Sequence, residues 1–437
     1  MSEIKYILVH YHEIALKGKN RPIFEERLVR NIKKTLGGHI VVKRLSGRIE
    51  VRVPETEIDE ALKKMGNVFG VSGFSPAIVA PSDLKEIKKS ALQLLSGTRP
   101  PQVKKMTFKV ATKRGFKQFP KNSMEISSEV GAYILEKTPH PSFPPLEKGD
   151  TGGFNNIFVN PPHASSEALA KEKPSFSKGG GKTSRVGRWK VDVKKPQITI
   201  NIELLKDRTY IYTEKIKGQG GLPVGVSGKM LVLISGGIDS PVASYLMAKR
   251  GAELFFLHFH SYPYTDKASI EKVHDILHIL SDYGINEKNL YLAPIIDFQK
   301  EAVKKVNQKH RVIIYRRLMY KVAEELAKKI GAKALVSGDN LGQVASQTIE
   351  NMAVIGADIH LPIMRPLVGF DKEEIIDLAK KIGTFEISII PHGDCCTVFL
   401  PKSPATKARI GDIIMEEKNI GMEGWVGKII KEVDLHG

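Results

Sequence analysis

Residues 231–245 read Leu-Val-Leu-Ile-Ser-Gly-Gly-Ile-Asp-Ser-Pro-Val-Ala-Ser-Tyr, and they constrain the chain more than any other stretch. A short apolar run ending at Ser235-Gly236-Gly237 predicts a buried strand feeding a tight turn. Pro241 then falls near the first turn of a predicted helix. Such a turn presents backbone N–H groups at a helix N-terminus, where free amides and the helix dipole both favour an anion. Gly236 and Gly237 let the backbone approach a phosphate without a Cβ in the way. Asp239 adds a carboxylate suited to Mg²⁺ beside phosphates. A second Gly-rich string, Gly179-Gly180-Gly181-Lys182-Thr183, ends like a Walker loop, but Phe176 stands where that pattern needs glycine. It reads as a linker.

From residue 229 onward, strands and helices alternate. Strands are predicted at 230–235, 254–259, 290–295 and 334–337, and helices at 241–250, 267–283, 298–329 and 371–382. This is the pattern of a doubly wound parallel sheet, in which ligands bind at the carboxyl ends of strands. Upstream, a strand at 4–9, a helix at 22–36, two strands within 40–53, a helix at 56–65 and a strand at 74–80 give a β-α-β-β-α-β order. That order predicts a ferredoxin-like α+β unit. The first helix is expected to bury Ile23, Leu28, Ile32 and Leu36. A second α/β unit follows, with helices at 82–96 and 125–137 and strands at 106–112, 197–203 and 208–214. It is interrupted at 138–187, where seven prolines and seven glycines fall within fifty residues, which predicts a flexible insertion. Three domains result: 1–80, 81–217 and 218–437.

The chain of 437 residues carries 67 Lys plus Arg against 48 Asp plus Glu, a net charge of +19. Nucleic acid leads the candidate partners for such a surface. Between Val103 and Lys121 there are seven basic residues and no acidic one: Lys104, Lys105, Lys109, Lys113, Arg114, Lys117 and Lys121. Phe108, Phe116 and Phe119 are interleaved and read as core residues rather than base-stacking ones. Lys17, Lys19 and Arg21 form a second basic cluster. No apolar run is long enough to span a membrane, and no signal segment opens the chain, so a cytoplasmic location is expected. The only two cysteines, Cys395 and Cys396, are neighbours. They make neither a disulfide framework nor a four-ligand zinc site. A lone vicinal pair in a Gly/Asp/Pro-rich loop points instead to thiol chemistry. His258 and His260 lie at a strand end with no carboxylate or Cys arranged beside them, so a metal role is not expected.

Four separated motifs carry a resemblance that spans nearly the whole chain. The strand-SGGxDS-helix string resembles the loop of the ATP pyrophosphatases. Tyr11-His12-Glu13-Ile14-Ala15-Leu16-Lys17-Gly18-Lys19-Asn20-Arg21, Gly220-Gly221-Leu222-Pro223-Val224-Gly225, Gly338-Asp339-Asn340-Leu341-Gly342-Gln343-Val344-Ala345-Ser346-Gln347-Thr348 and Asp394-Cys395-Cys396-Thr397-Val398-Phe399 with Pro401 and Pro404 are the four, and they resemble segments of the tRNA 4-thiouridine synthase family, the ThiI type. The resemblance implies a ferredoxin-like domain, a THUMP domain that grips tRNA and a pyrophosphatase-loop catalytic domain. It implies ATP and Mg²⁺ as cofactors, with ATP held by Leu233, Ile234, Ser235, Gly236, Gly237, Asp239, Ser240, His258, Phe259, Arg316, Gly338 and Gln347; Arg317 competes with Arg316. It implies Cys395, Cys396 and Asp239 as catalytic residues and Lys17, Lys19, Arg21, Lys109, Lys113, Arg114 and Lys117 as tRNA contacts. No second cysteine-bearing rhodanese segment follows, so a cysteine desulfurase is the expected sulfur donor. The reaction expected is adenylation of uridine O4 at position 8, followed by replacement with persulfide sulfur. Which cysteine carries the persulfide, delivery of sulfur to a thiamine sulfur-carrier protein, and a homodimer all stay open. Two alternatives remain: an ATP pyrophosphatase using another nucleophile, and a non-catalytic RNA-binding module.

Overall fold

The structure, a computed structural model, describes residues 3–97, 106–138, 189–264, 267–391, 399 and 403–436. The N-terminal elements are β1 (Ile4–His10), α1 (Arg21–Leu36), β2 (Val41–Leu45), β3 (Arg48–Pro54), α2 (Ile58–Met65) and β4 (Gly73–Ala80), and the strands run in the order β2-β3-β1-β4. This is the expected ferredoxin-like arrangement. Helix α1 starts on Arg21-Pro22 and buries Leu28, Ile32 and Leu36, four residues apart. Ile23 departs from expectation and is 61% exposed. It stands five residues from Leu28, about 140° round the helix from the buried stripe at roughly 100° per residue.

The chain divides into two compact units, residues 1–8, 51–62 and 75–215 in one and 9–50, 63–74 and 216–437 in the other. In the first lie α3 (Leu84–Gly97), β5 (Met106–Arg114), α4 (Ser123–Lys137), β6 (Trp189–Val191), β7 (Ile198–Leu204) and β8 (Thr209–Tyr212). The strands run β8-β7-β5-β6, with β5 parallel to both β6 and β7. Ile87, Ala91 and Leu95 of α3 meet Phe108, Ile126, Val130 and Ile134 in one core. Asn122 caps α4 through a reciprocal box with Glu125, which fixes where the helix begins. The short strand β6 was not expected. The insertion read at 138–187 lies, from residue 139 on, outside the described residues.

In the second unit, β9 (Ile216–Lys217) pairs with Gly73–Phe74 of β4. A six-stranded sheet follows: β10 (Lys229–Leu233), β11 (Glu253–His260), β12 (Leu290–Pro294), β13 (Leu335–Val336), β14 (Ile363–Met364) and β15 (Asp434–Leu435), in the order β14-β13-β10-β11-β12-β15. All neighbours are parallel except β15, which is antiparallel to β12. The chain winds outward from β10 through β11 and β12, then crosses back to β13 and β14. The crossing creates a switch point between β10 and β13, where a crevice opens beyond the strand ends. Helices α5 (Asp239–Lys249), α6 (Ala268–Ser281) and α10 (Lys372–Ile382) cover one face. The other is covered by α7 (Ile296–Lys305), α8 (Arg311–Ile330), α9 (Ile349–Gly356), α12 (Ile410–Ile420) and α13 (Met422–Glu432); α11 (Phe385–Ser388) is a single turn. The single helix expected over 298–329 is two. Val306 is extended, and the Asn307 side chain accepts from the Lys309 N–H, which starts a new turn.

Candidate active site

The loop after β10 is closed by its own serine. The Ser235 N–H donates to Ser240 Oγ at 2.9 Å, and that hydroxyl lies 3.2 Å from the Ser235 carbonyl. Helix α5 begins at Asp239 without a side-chain cap, so its first amides are left to whatever anion the loop holds. Close approach of the neighbouring strand shapes the loop further. A Cβ on Gly338, just beyond β13, would sit 2.8 Å from the Ser240 nitrogen. Only glycine permits that contact. A Cβ on Gly236 would meet the Lys272 side chain at 3.0 Å, whereas one on Gly237 would meet nothing closer than 3.6 Å. The Gly237 side of the loop is therefore the less crowded of the two.

Two carboxylates stand at the switch point in different surroundings. Asp239 pairs with Lys372 Nζ at 2.6 Å and accepts from Gln343 Nε2 at 3.3 Å. Asp339 is buried and accepts from Tyr320 at 2.9 Å and Ser337 at 2.8 Å, and it pairs with Arg316. Burial pushes its pKa up, but Arg316, Ser337 and Tyr320 outweigh burial and hold the carboxyl at about 2. Of the adjacent arginines, Arg316 faces this centre and reaches Ser346 Oγ at 3.2 Å. Arg317 is buried on the opposite side, gripping Glu417 through two bonds of 2.7 and 3.0 Å and also Asp358. Geometry thus separates two residues that the sequence could not.

His258 lies at the end of β11, where its Nδ1 is 3.1 Å from the Ile234 carbonyl. A carbonyl only accepts, so Nδ1 carries the hydrogen and Nε2 is left as an acceptor. Burial, opposed by that bond, pushes the pKa down to about 4, which keeps the ring neutral. Nε2 has no partner among the described residues, and neither has the buried Oε1 of Gln347. Orphaned buried acceptors beside a Gly-rich loop are what a nucleotide's amino and hydroxyl groups would satisfy. Ile234 and Phe259 are core residues and Leu233 packs against the core, so these three offer chiefly backbone.

Cys395 and Cys396 lie outside the described residues. The chain leading toward them is anchored at the loop: Lys272 Nζ donates to the carbonyls of Ser388 at 2.9 Å and Ile390 at 2.7 Å. The chain after them is held by Asn351, which donates to Ala405 O at 2.8 Å and accepts from the Ala408 N–H at 3.0 Å. Lys272 and Lys372 are the residues that sequence reading missed. Each is one lysine among many in a helical pattern, and only tertiary position distinguishes it. Asp339, by contrast, sits inside a motif already singled out.

The basic residues divide. On β5, Phe108 and Val110 face the core, so Lys109 and Lys113 point the other way. Lys113 and Lys117 are exposed. Arg114 donates to the carbonyls of Phe119 at 3.0 Å and Lys121 at 2.9 Å, holding the following loop. Phe108, Phe116 and Phe119 belong to the core or pack on it, as expected. In the other unit, Lys19 is exposed, Lys17 lies over the Phe24 ring at 5.1 Å, and Arg21 binds Glu25 at 2.8 Å and Tyr11 at 2.7 Å.

Comparison with known proteins decides the family. Family models match residues 6–75 (ThiI ferredoxin-like domain), 81–145 with 179–214 (THUMP domain) and 225–422 (Thiamine biosynthesis protein, ThiI). The probable tRNA sulfurtransferase of Thermoanaerobacter sp. (strain X514) is 40% identical over 429 residues, covering 98% of both chains. The chain belongs to the tRNA sulfurtransferase family. The probable tRNA sulfurtransferase of Acetivibrio thermocellus is 40% identical over 435 residues, 99% of this chain and 98% of its own. A crystal structure of a 4-thiouridine synthetase–RNA complex with bound ATP aligns at a TM-score of 0.79 and 34% identity, covering 99% of each chain. The sulfurtransferase domains thus fall in the expected order, and the THUMP match breaks off between residues 145 and 179, inside the proposed insertion.

Proposed function

We propose that this sulfurtransferase adenylates O4 of a tRNA uridine with ATP and replaces it with sulfur carried on Cys395 or Cys396, giving 4-thiouridine. The observation that carries the reading is the SGGxDS loop at the β10/β13 switch point, with its uncapped helix start and its Gly338 contact. O4 of uridine attacks the α-phosphorus, and pyrophosphate leaves into the loop. The uncapped α5 amides stand ready to balance the departing anion, with Lys372 beside them on Asp239. Among the described residues no group of three or more His, Cys, Asp or Glu could hold a metal. A phosphate-bound Mg²⁺ needs only one or two protein carboxylates, and Asp239 fits that need. Bound there, Mg²⁺ would neutralise phosphate charge.

The second half replaces oxygen by sulfur. A persulfide on one cysteine attacks C4, and AMP leaves with the former O4. The neighbouring thiol then attacks the inner sulfur, which frees 4-thiouridine and leaves a disulfide for an external reductant. A cysteine desulfurase supplies the persulfide. We further propose the domain limits 1–80, 81–217 and 218–437, uridine 8 as the target, and tRNA contacts from Lys19, Lys109, Lys113 and Lys117. Incubating the chain with unmodified tRNA, ATP, Mg²⁺, cysteine and a cysteine desulfurase tests the reading. 4-Thiouridine should accumulate with ATP and not without it; thiolation independent of ATP would contradict the proposal.

A further inference from the structure

The four residues beyond β11 take no part in the chemistry at the phosphate loop. Ser261 is fully buried and its hydroxyl donates to the buried Gln299 on α7 at 2.6 Å. The His260 carbonyl accepts from the Ile295 N–H at 3.0 Å. The strand end is therefore fastened rigidly to the α7 start. From this base Tyr262 and Tyr264 project, 45% and 58% exposed. Each ring carries a lysine: Lys267 Nζ lies 5.7 Å from the Tyr262 centroid and Lys300 Nζ 4.7 Å from that of Tyr264. Phe399, three residues after Cys396, brings a third ring to 6.2 Å from Tyr264. Its backbone holds φ of +62°, a value rare for a bulky residue. Beside them His260 carries a buried Nδ1 with no partner among the described residues.

This shelf lies at the carboxyl end of β11, and β11 is the direct neighbour of β10, which carries the phosphate loop. A base in folded RNA must leave its stack before an enzyme can reach its ring carbons. An extruded base needs a π surface to replace the stack, and its flanking phosphates need cations. Exposed tyrosines with ammonium groups on their rings supply both.

We propose that Tyr262, Tyr264 and Phe399 form the shelf on which the target uridine stacks after extrusion, with Lys267 and Lys300 meeting the adjacent phosphates. The proposal rests on the sulfurtransferase reading above. A cycle of two changes tests it: Tyr264→Ala in the full chain, and removal of the target base from the tRNA. Tyr264→Ala should weaken binding of intact tRNA about tenfold, with ATP affinity unchanged. It should leave binding of the tRNA abasic at the target position unchanged, and Tyr264→Phe should restore the affinity for intact tRNA. Equal weakening of both tRNAs, or of neither, would overturn the shelf while wild-type thiolation proceeds. Absence of thiolation by the wild-type chain would instead contradict the underlying reading.

Discussion

Asp239 and Lys372 meet at 2.6 Å, 133 residues apart in the chain, so the pair is made by the fold and not by local sequence. In the free protein a cation already neutralises the carboxylate that would face Mg²⁺ and phosphates. Asp239→Asn should lower the thiolation rate by about 10²–10³-fold, the usual effect of losing one charge-stabilising group, while tRNA affinity stays unchanged. Single-turnover thiolation and filter binding would check this. His258 predicts a pH effect. Its pKa is held down to about 4 in the fold, whereas an unfolded histidine takes up a proton near 6.5. The unfolded state thus binds more protons between those values, so stability is present above pH 6.5 and is lost as pH falls toward 4. The loss is about 3 kcal/mol. In His258→Asn this part of the pH dependence should vanish, which denaturant midpoints from pH 7 to 4 would show.

Among the elements, the strand-loop-helix at 229–249 and the ferredoxin-like order were legible because their signals are local: apolar runs, Gly pairs, Pro near a helix start. Gly338 gives the prediction at this scale. Ala there would force its Cβ to 2.8 Å from the Ser240 nitrogen, so Gly338→Ala should weaken ATP binding at least tenfold in a calorimetric titration while Gly237→Ala costs much less. What was not legible came from distant parts of the chain. The break at Val306–Asn307 interrupts a pattern that stays helical by composition on both sides. Helices α12 and α13 are legible only through what they cover, Arg317 and the α8 face. Arg114 reads as one more phosphate ligand in a basic run, and that its Nη1 also donates to two loop carbonyls was not legible. Lys272 gave no signal at all, since its two carbonyl acceptors lie more than a hundred residues onward.

For the whole molecule, a net charge of +19 and a THUMP match place a tRNA-sized anion among the expected partners. Charge reversal at Lys113 and Lys117 avoids the structural duty of Arg114. It should reduce the slope of log affinity against log salt by roughly 0.7–0.9 for each phosphate that is no longer neutralised, with the unfolding midpoint unchanged. An unaltered slope would place that face away from RNA. In the proposed reaction the loop at the β10/β13 switch point activates the uridine oxygen as an adenylate. Isotope transfer tests it most directly. A tRNA carrying ¹⁸O at O4 of the target uridine would be thiolated by the full chain, and the released AMP analysed by mass spectrometry. One ¹⁸O should appear in the AMP phosphate for each 4-thiouridine formed. Thiolated tRNA with unlabelled AMP, the ¹⁸O being found in water, would contradict it.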